Sequence, residues 1–172
     1  MRLWSSDNWE AYFKTPDRRT GLCLRFEKGI DAEIRDACRL FCKWLKIRYM
    51  FPIRVPIYFK NAEYITTNSG ERCSAKFFSP HDRLYEPFIT IATRDLDAIA
   101  QRKGKAAAIL TMYSSIAHEL SHYFQWIKIL PLTEKQEERQ AKYYQHRVVQ
   151  QYLDENWSTL GETLWDYLSQ FD

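Results

Sequence analysis

Apolar residues recur every three or four positions in several stretches of the chain, and this spacing predicts amphipathic helices. Asp31 is a suitable N-cap for the first helix, and Pro131 ends the second. Thr133 and Gln136 form a capping-box pattern at the start of the third. These patterns predict helices over about residues 31–49, 105–129 and 134–153, and a last amphipathic segment over 157–171. In the second helix we expect a single apolar stripe to face the core.

Alternating apolar and polar residues predict strands in the first half of the chain. Turn-forming stretches such as Asn68-Ser69-Gly70 separate them. The predicted strands are 22–27, 55–59, 73–78 and 88–93. The last three suit antiparallel pairing, so we expect a small antiparallel or mixed sheet before a mostly helical half. The predicted fold class is α+β.

Length and composition favour one domain over residues 1–172. The chain has 45% hydrophobic residues, enough to bury a core, and only five glycines, so no flexible linker stands out. Residues 1–20 are expected to form an N-terminal arm held by aromatic anchors, and 157–172 a C-terminal helical segment. The aromatic residues of the arm are Trp4, Trp9, Tyr12 and Phe13.

Charge and cysteine content narrow the range of partners and compartments. The net charge is only +3, well below the basic excess typical of nucleic-acid-binding proteins, so no nucleic acid is expected. No apolar run is long enough to span a membrane, and the N-terminus lacks a secretory signal pattern, so we expect no membrane partner and a cytoplasmic protein. The four cysteines are expected to be reduced core residues.

The pattern H-E-x-x-H occurs inside the predicted helix 105–129, as His118, Glu119 and His122. Side chains four residues apart are neighbours on a helix, so both imidazoles can bind one zinc ion. Zinc lowers the pKa of a water ligand from 15.7 to about 7. Glu119 is then placed to act as general base, the role that this glutamate has in metalloproteases.

Catalytic zinc normally has three protein ligands, so a third ligand is needed from elsewhere in the chain. The helix that follows offers Glu134, Glu137, Glu138 and His146. Helical periodicity alone does not separate Glu137 from Glu138.

The motif followed by Glu138-Arg139-Gln140-Ala141 resembles the H-E-x-x-H…E-x-x-A pattern of gluzincin metallopeptidases, especially minigluzincins and ImmA/IrrE-type peptidases. The resemblance covers about residues 86–150. It implies a zincin-like fold, Glu138 as the third zinc ligand beside His118 and His122, and Glu119 as the base. It also implies that the sheet's edge strand, here 88–93, pairs with an extended substrate.

These features predict a zinc-dependent metallopeptidase that hydrolyses peptide or protein substrates. Tyr143, Tyr144 and His146 are candidate hydrogen-bond donors to a developing oxyanion, although packing roles are favoured for each. One alternative is an SprT-like zincin with His146 as third ligand. Another is a non-catalytic regulatory module that keeps the zinc, and the last is a helical interaction domain without metal.

Overall fold

The computed structural model describes residues 3–9 and 19–168, with side chains up to residue 156. It is an α+β structure, as predicted. In chain order the elements are β1 (Leu22–Phe26), α1 (Ala32–Arg48), β2 (Val55–Lys60), β3 (Ile65–Thr66), β4 (Arg72–Cys73), β5 (Ala75–Phe78), β6 (Phe88–Ala92), α2 (Arg94–Lys103), α3 (Lys105–Lys128) and α4 (Glu134–Leu168).

Helix α1 begins and ends as its sequence predicts. The Asp31 carboxylate accepts hydrogen bonds from the backbone N–H groups of Glu33 and Ile34, at 2.9 and 3.1 Å. Both groups lie in the first turn and have no partner within the helix, so Asp31 caps it. The helix ends at Arg48, followed by Tyr49 in an extended conformation.

The main sheet has the strand order β1-β2-β6-β5 and is mixed. β1 pairs with β2 and β2 with β6 in parallel, whereas β5 pairs with β6 antiparallel. Antiparallel pairing among the predicted strands is therefore right for β5 and β6 but wrong for β2 and β6. The chain between β2 and β6 is long enough to return to the same end of the sheet, which parallel pairing requires.

The predicted strand 73–78 is interrupted at Ser74. Cys73 belongs to β4, which pairs with β3 as a separate two-stranded sheet, whereas β5 joins the main sheet. As a result β6 is an interior strand, and the expected position of residues 88–93 at the sheet edge is wrong. The edge strand nearest in sequence to the H-E-x-x-H helix is β5.

Helix α3 lies between the sheet and α4, and it contacts α1 as well. Its buried residues go well beyond the single predicted stripe, because two sides of the helix are covered rather than one. The large apolar side chains buried along it are Met112, Tyr113, Ile116, Leu120, Tyr123, Phe124 and Ile127.

Helix α4 is one continuous helix of 35 residues, so the two predicted segments 134–153 and 157–171 are joined up to Leu168. No proline separates them to end the first. Half of the predicted capping box is present, since the Gln136 side chain accepts a hydrogen bond from the Thr133 N–H at 2.8 Å.

The N-terminal segment packs against α3. Trp4 and Trp9 are buried, as expected of anchors, and the Trp4 indole N–H donates to Ser121 Oγ at 3.1 Å. Tyr12 and Phe13 lie outside the described residues. Across 3–9 and 19–168, none of the helices has the length and apolar character needed to span a membrane.

Candidate metal centre

His118 and His122 lie on the side of α3 that faces α4. Their Nε2 atoms are 3.2 Å apart, and each side chain is 17% exposed. One helical turn separates the two residues, so this convergence follows from the helical spacing of the motif.

Glu138 completes the cluster from the first turns of α4. Its two carboxylate oxygens lie 3.4 Å from His118 Nε2 and 3.2 Å from His122 Nε2. The ligand atoms of these three residues lie within 4.8 Å of one another, close enough to hold a metal ion. The structure thus brings together the two motif histidines and the carboxylate that the resemblance favours.

Gln125 determines which nitrogen of His122 carries the proton. Its amide nitrogen donates to the Glu137 carbonyl oxygen at 3.0 Å and to Gln140 Oε1 at 3.1 Å, and this fixes the orientation of the amide. Its oxygen therefore faces His122 Nδ1 at 2.8 Å, so Nδ1 must donate. In the neutral imidazole, Nε2 is then unprotonated, and its lone pair points toward His118 and Glu138.

Gln145 makes the same kind of contact with the other histidine. Its Oε1 lies 3.2 Å from His118 Nδ1. Gln145 follows Glu138 by seven residues, which is two helical turns, so one face of α4 supplies both the carboxylate and the amide. A carbonyl oxygen on Nδ1 is the contact that commonly orients metal-binding histidines.

Two imidazole nitrogens and a carboxylate thus face one another, an arrangement that favours a bound cation. Zinc bonds of 2.0 to 2.1 Å in a tetrahedron put neighbouring ligand atoms about 3.3 Å apart. The two Nε2 atoms are 3.2 Å apart, and they lie 3.4 and 3.2 Å from different oxygens of Glu138. The donor set and its spacing therefore fit a zinc ion.

Glu119 points away from α4, toward the sheet edge. Its side chain is 6% exposed, and its carboxylate accepts a hydrogen bond from the Phe77 N–H of β5. Burial raises the pKa of Glu119 to about 7, opposed by the Phe77 hydrogen bond and by the charge of Lys76. A carboxyl group with this pKa both accepts and releases protons near neutral pH.

A cavity of about 380 Å³ connects the cluster with the sheet edge. Ile129 at its rim has φ 47° and is 67% exposed. A β-branched residue is strained in this left-handed conformation, which indicates that the local structure holds it there. The lining residues are Lys76, Phe77, Ser79, Glu119, His122, Gln125, Trp126, Ile129, Leu130, Glu134, Glu137 and Glu138.

The other candidate residues lie outside the cluster. Glu137 and Glu134 line the cavity but are not among the three clustered ligand groups. His146 is exposed on α4, and Tyr143 accepts a hydrogen bond from Arg147 on the protein surface. The Tyr144 hydroxyl accepts a hydrogen bond from the Leu3 N–H.

The sequence patterns did not indicate that the two glutamines or the strand residues Lys76 and Phe77 belong to the site. Gln125 follows His122 by three residues, so helical spacing could have signalled its contact. The contacts of Gln145, Lys76 and Phe77 depend on tertiary packing and leave no local pattern.

Comparison of the chain with protein-family models, with curated proteins and with solved structures finds no significant match.

The geometry predicts that Glu138, rather than Glu137, is the third metal ligand. Glu138→Gln should weaken Zn²⁺ binding by more than about 100-fold, because even partners of metal ligands contribute 10- to 100-fold. Zn²⁺ affinity is measured by competition with a chromophoric chelator. The matched change Glu137→Gln should leave the affinity within about threefold. Similar losses in both variants, or a loss only in His146→Ala, would contradict this assignment.

Gln145 is predicted to position His118 for metal binding. Gln145→Ala should weaken Zn²⁺ binding by about 10- to 100-fold, since His118 loses the acceptor at Nδ1. Gln145→Glu keeps a carbonyl-type acceptor and should restore the affinity, which a purely structural role would not require. Gln150→Ala, the same change at an exposed site farther along the helix, is the control and should leave the affinity unchanged. Unchanged affinity in Gln145→Ala would disprove the role.

Proposed function

We propose that this protein is a zinc-dependent peptidase with a zincin-like arrangement of sheet, motif helix and glutamate-bearing helix. The proposal rests on one observation. The imidazoles of His118 and His122 converge with the Glu138 carboxylate at zinc-ligand spacing, and Glu119 lines the adjoining cavity.

His118, His122 and Glu138 would hold the metal, which supplies Lewis acidity that activates water and polarises a substrate carbonyl. Glu119 accepts the proton of the attacking water and then passes it to the leaving amine. Its burial keeps bulk water away, and the Phe77 N–H holds its carboxylate in place.

The free edge of β5 is the proposed binding site for an extended peptide. Within residues 3–9 and 19–168, β5 has a partner strand, β6, on one side only. Two of its residues, Lys76 and Phe77, line the cavity beside Glu119. Backbone groups of an unpaired edge can bind a further strand. The substrate strand that the resemblance implies would then bind β5 instead of residues 88–93.

The proposed compartment is the cytoplasm. All four cysteines are free, and Cys38 and Cys42 are buried in α1, where burial raises the pKa of both thiols. Unpaired thiols used as core residues suit a reducing compartment.

Glu119→Gln tests the proposed reaction, because glutamine fills the same space but cannot accept the proton. The variant should keep one Zn²⁺ per chain and hydrolyse a labelled unfolded protein about 10²- to 10⁴-fold more slowly. Glu63→Gln, a matched change at an exposed site, should leave the rate unchanged. Full activity in Glu119→Gln would refute the mechanism. A zinc-loaded wild type that cleaves nothing would instead support a non-catalytic zinc module.

A further inference from the structure

The helices α1 and α3 pack on one face of the main sheet, and the opposite face carries a different set of side chains. Strand pairing aligns Arg25 with Tyr58, Tyr58 with Thr90, and Thr90 with Lys76, in one row across all four strands. Val55, Ile57 and Phe59, the alternate residues of β2, are buried toward the helices. The row from Arg25 to Lys76 therefore lies on the outer face.

Aromatic rings occupy the middle of this outer face. Tyr58 is 38% and Phe88 40% exposed. Phe88 stacks on Phe78 with centroids 4.7 Å apart and planes 16° apart, and it meets Tyr58 edge-on at 6.1 Å. Large exposed aromatic side chains on a sheet offer flat surfaces on which other planar groups can stack.

Cations flank the rings at both edges of the sheet. Arg25 on β1 and Lys76 on β5 are exposed, and neither forms an ion pair with a described residue. Three strand spacings separate them, about 14 Å. The outward-facing positions of the four strands include no acidic residue.

The acidic residues that flank these strands in sequence already have partners. Glu27 pairs with Lys60 at 2.7 Å, and Glu86 pairs with Arg19 at 2.9 Å and with Arg54 at 3.7 Å. The local charge of the face is therefore positive, although the chain as a whole is close to neutral.

We propose that the outer face of the sheet binds single-stranded nucleic acid, with bases stacked on Tyr58 and Phe88 and phosphates bound by Arg25 and Lys76. Exposed aromatic residues between cations on a sheet provide both interactions that such a ligand needs. A phosphate backbone supplies counter-charges to both flanking cations, whereas a protein partner would need acidic residues matched to their spacing. The expectation of no nucleic-acid partner rested on the net charge of +3. That value sums over the whole chain and does not show that unpaired positive charges lie together on one face.

Apart from Lys76, which also lines the cavity beside Glu119, the proposed surface is separate from the metal centre. His118, His122 and Glu138 lie between α3 and α4, whereas Tyr58 and Arg25 lie on the far face of the sheet. The surface can therefore be tested with the complete chain and without any measurement of hydrolysis.

The test is fluorescence anisotropy of a labelled oligothymidine of about 20 nucleotides at low salt, titrated with the full-length protein. Tyr58→Ala should weaken binding about 5- to 100-fold, the usual effect of removing a stacking ring. Arg25→Glu should also weaken binding and make its salt dependence shallower by about 0.7 in the slope of log K against log salt. An excess of unlabelled duplex should compete poorly.

Lys43→Glu on α1 is the matched control for Arg25→Glu, because it changes the net charge equally at an exposed site elsewhere. It should leave the affinity within about twofold. Equal losses in the two charge variants, no effect of Tyr58→Ala, or no binding at low salt would overturn the proposal. Self-association that Tyr58→Ala abolishes would also overturn it and assign the face to a second copy of the chain. Thermal unfolding checks that each variant is folded.

Discussion

The enclosure of α3 between the sheet and α4 is the constraint on which the candidate site depends. A helix covered on both sides has to satisfy its polar side chains inside the protein, because leaving them unpaired costs several kcal/mol each. Successive residues on a helix point about 100° apart. One turn of α3 therefore directs His118 and His122 toward α4 while Glu119 points to β5, so helix geometry separates the metal-binding pair from the base.

Packing of α4 against α3 then decides the rest of the centre. Ala141, three residues after Glu138, is fully buried, and a small residue there allows the two helices to approach closely. Gln125 links them by hydrogen bonds to the Glu137 carbonyl and to Gln140. The same amide orients His122, so helix packing and ligand orientation depend on one side chain.

The sequence is informative where the relevant contacts are local. Asp31 caps α1 within one turn, and His118 and His122 converge within another, so spacing alone predicted both. Which strands are neighbours depends on contacts between distant segments, and for that reason β6 was wrongly placed at the edge. Periodicity left Glu137 and Glu138 equally suitable as the third metal ligand, since it does not give the rotation of α4 about its axis. The contact between Gln145 and His118 depends on that same rotation.

A bound cation between α3 and α4 is the central claim, and anomalous X-ray scattering at the zinc absorption edge tests it most directly. Crystals grown with Zn²⁺ should show one strong peak about 2 Å from the Nε2 atoms of His118 and His122 and from a Glu138 carboxylate oxygen. The peak should vanish below the edge. A zinc peak held by other residues, or no peak between the two helices, would contradict the account.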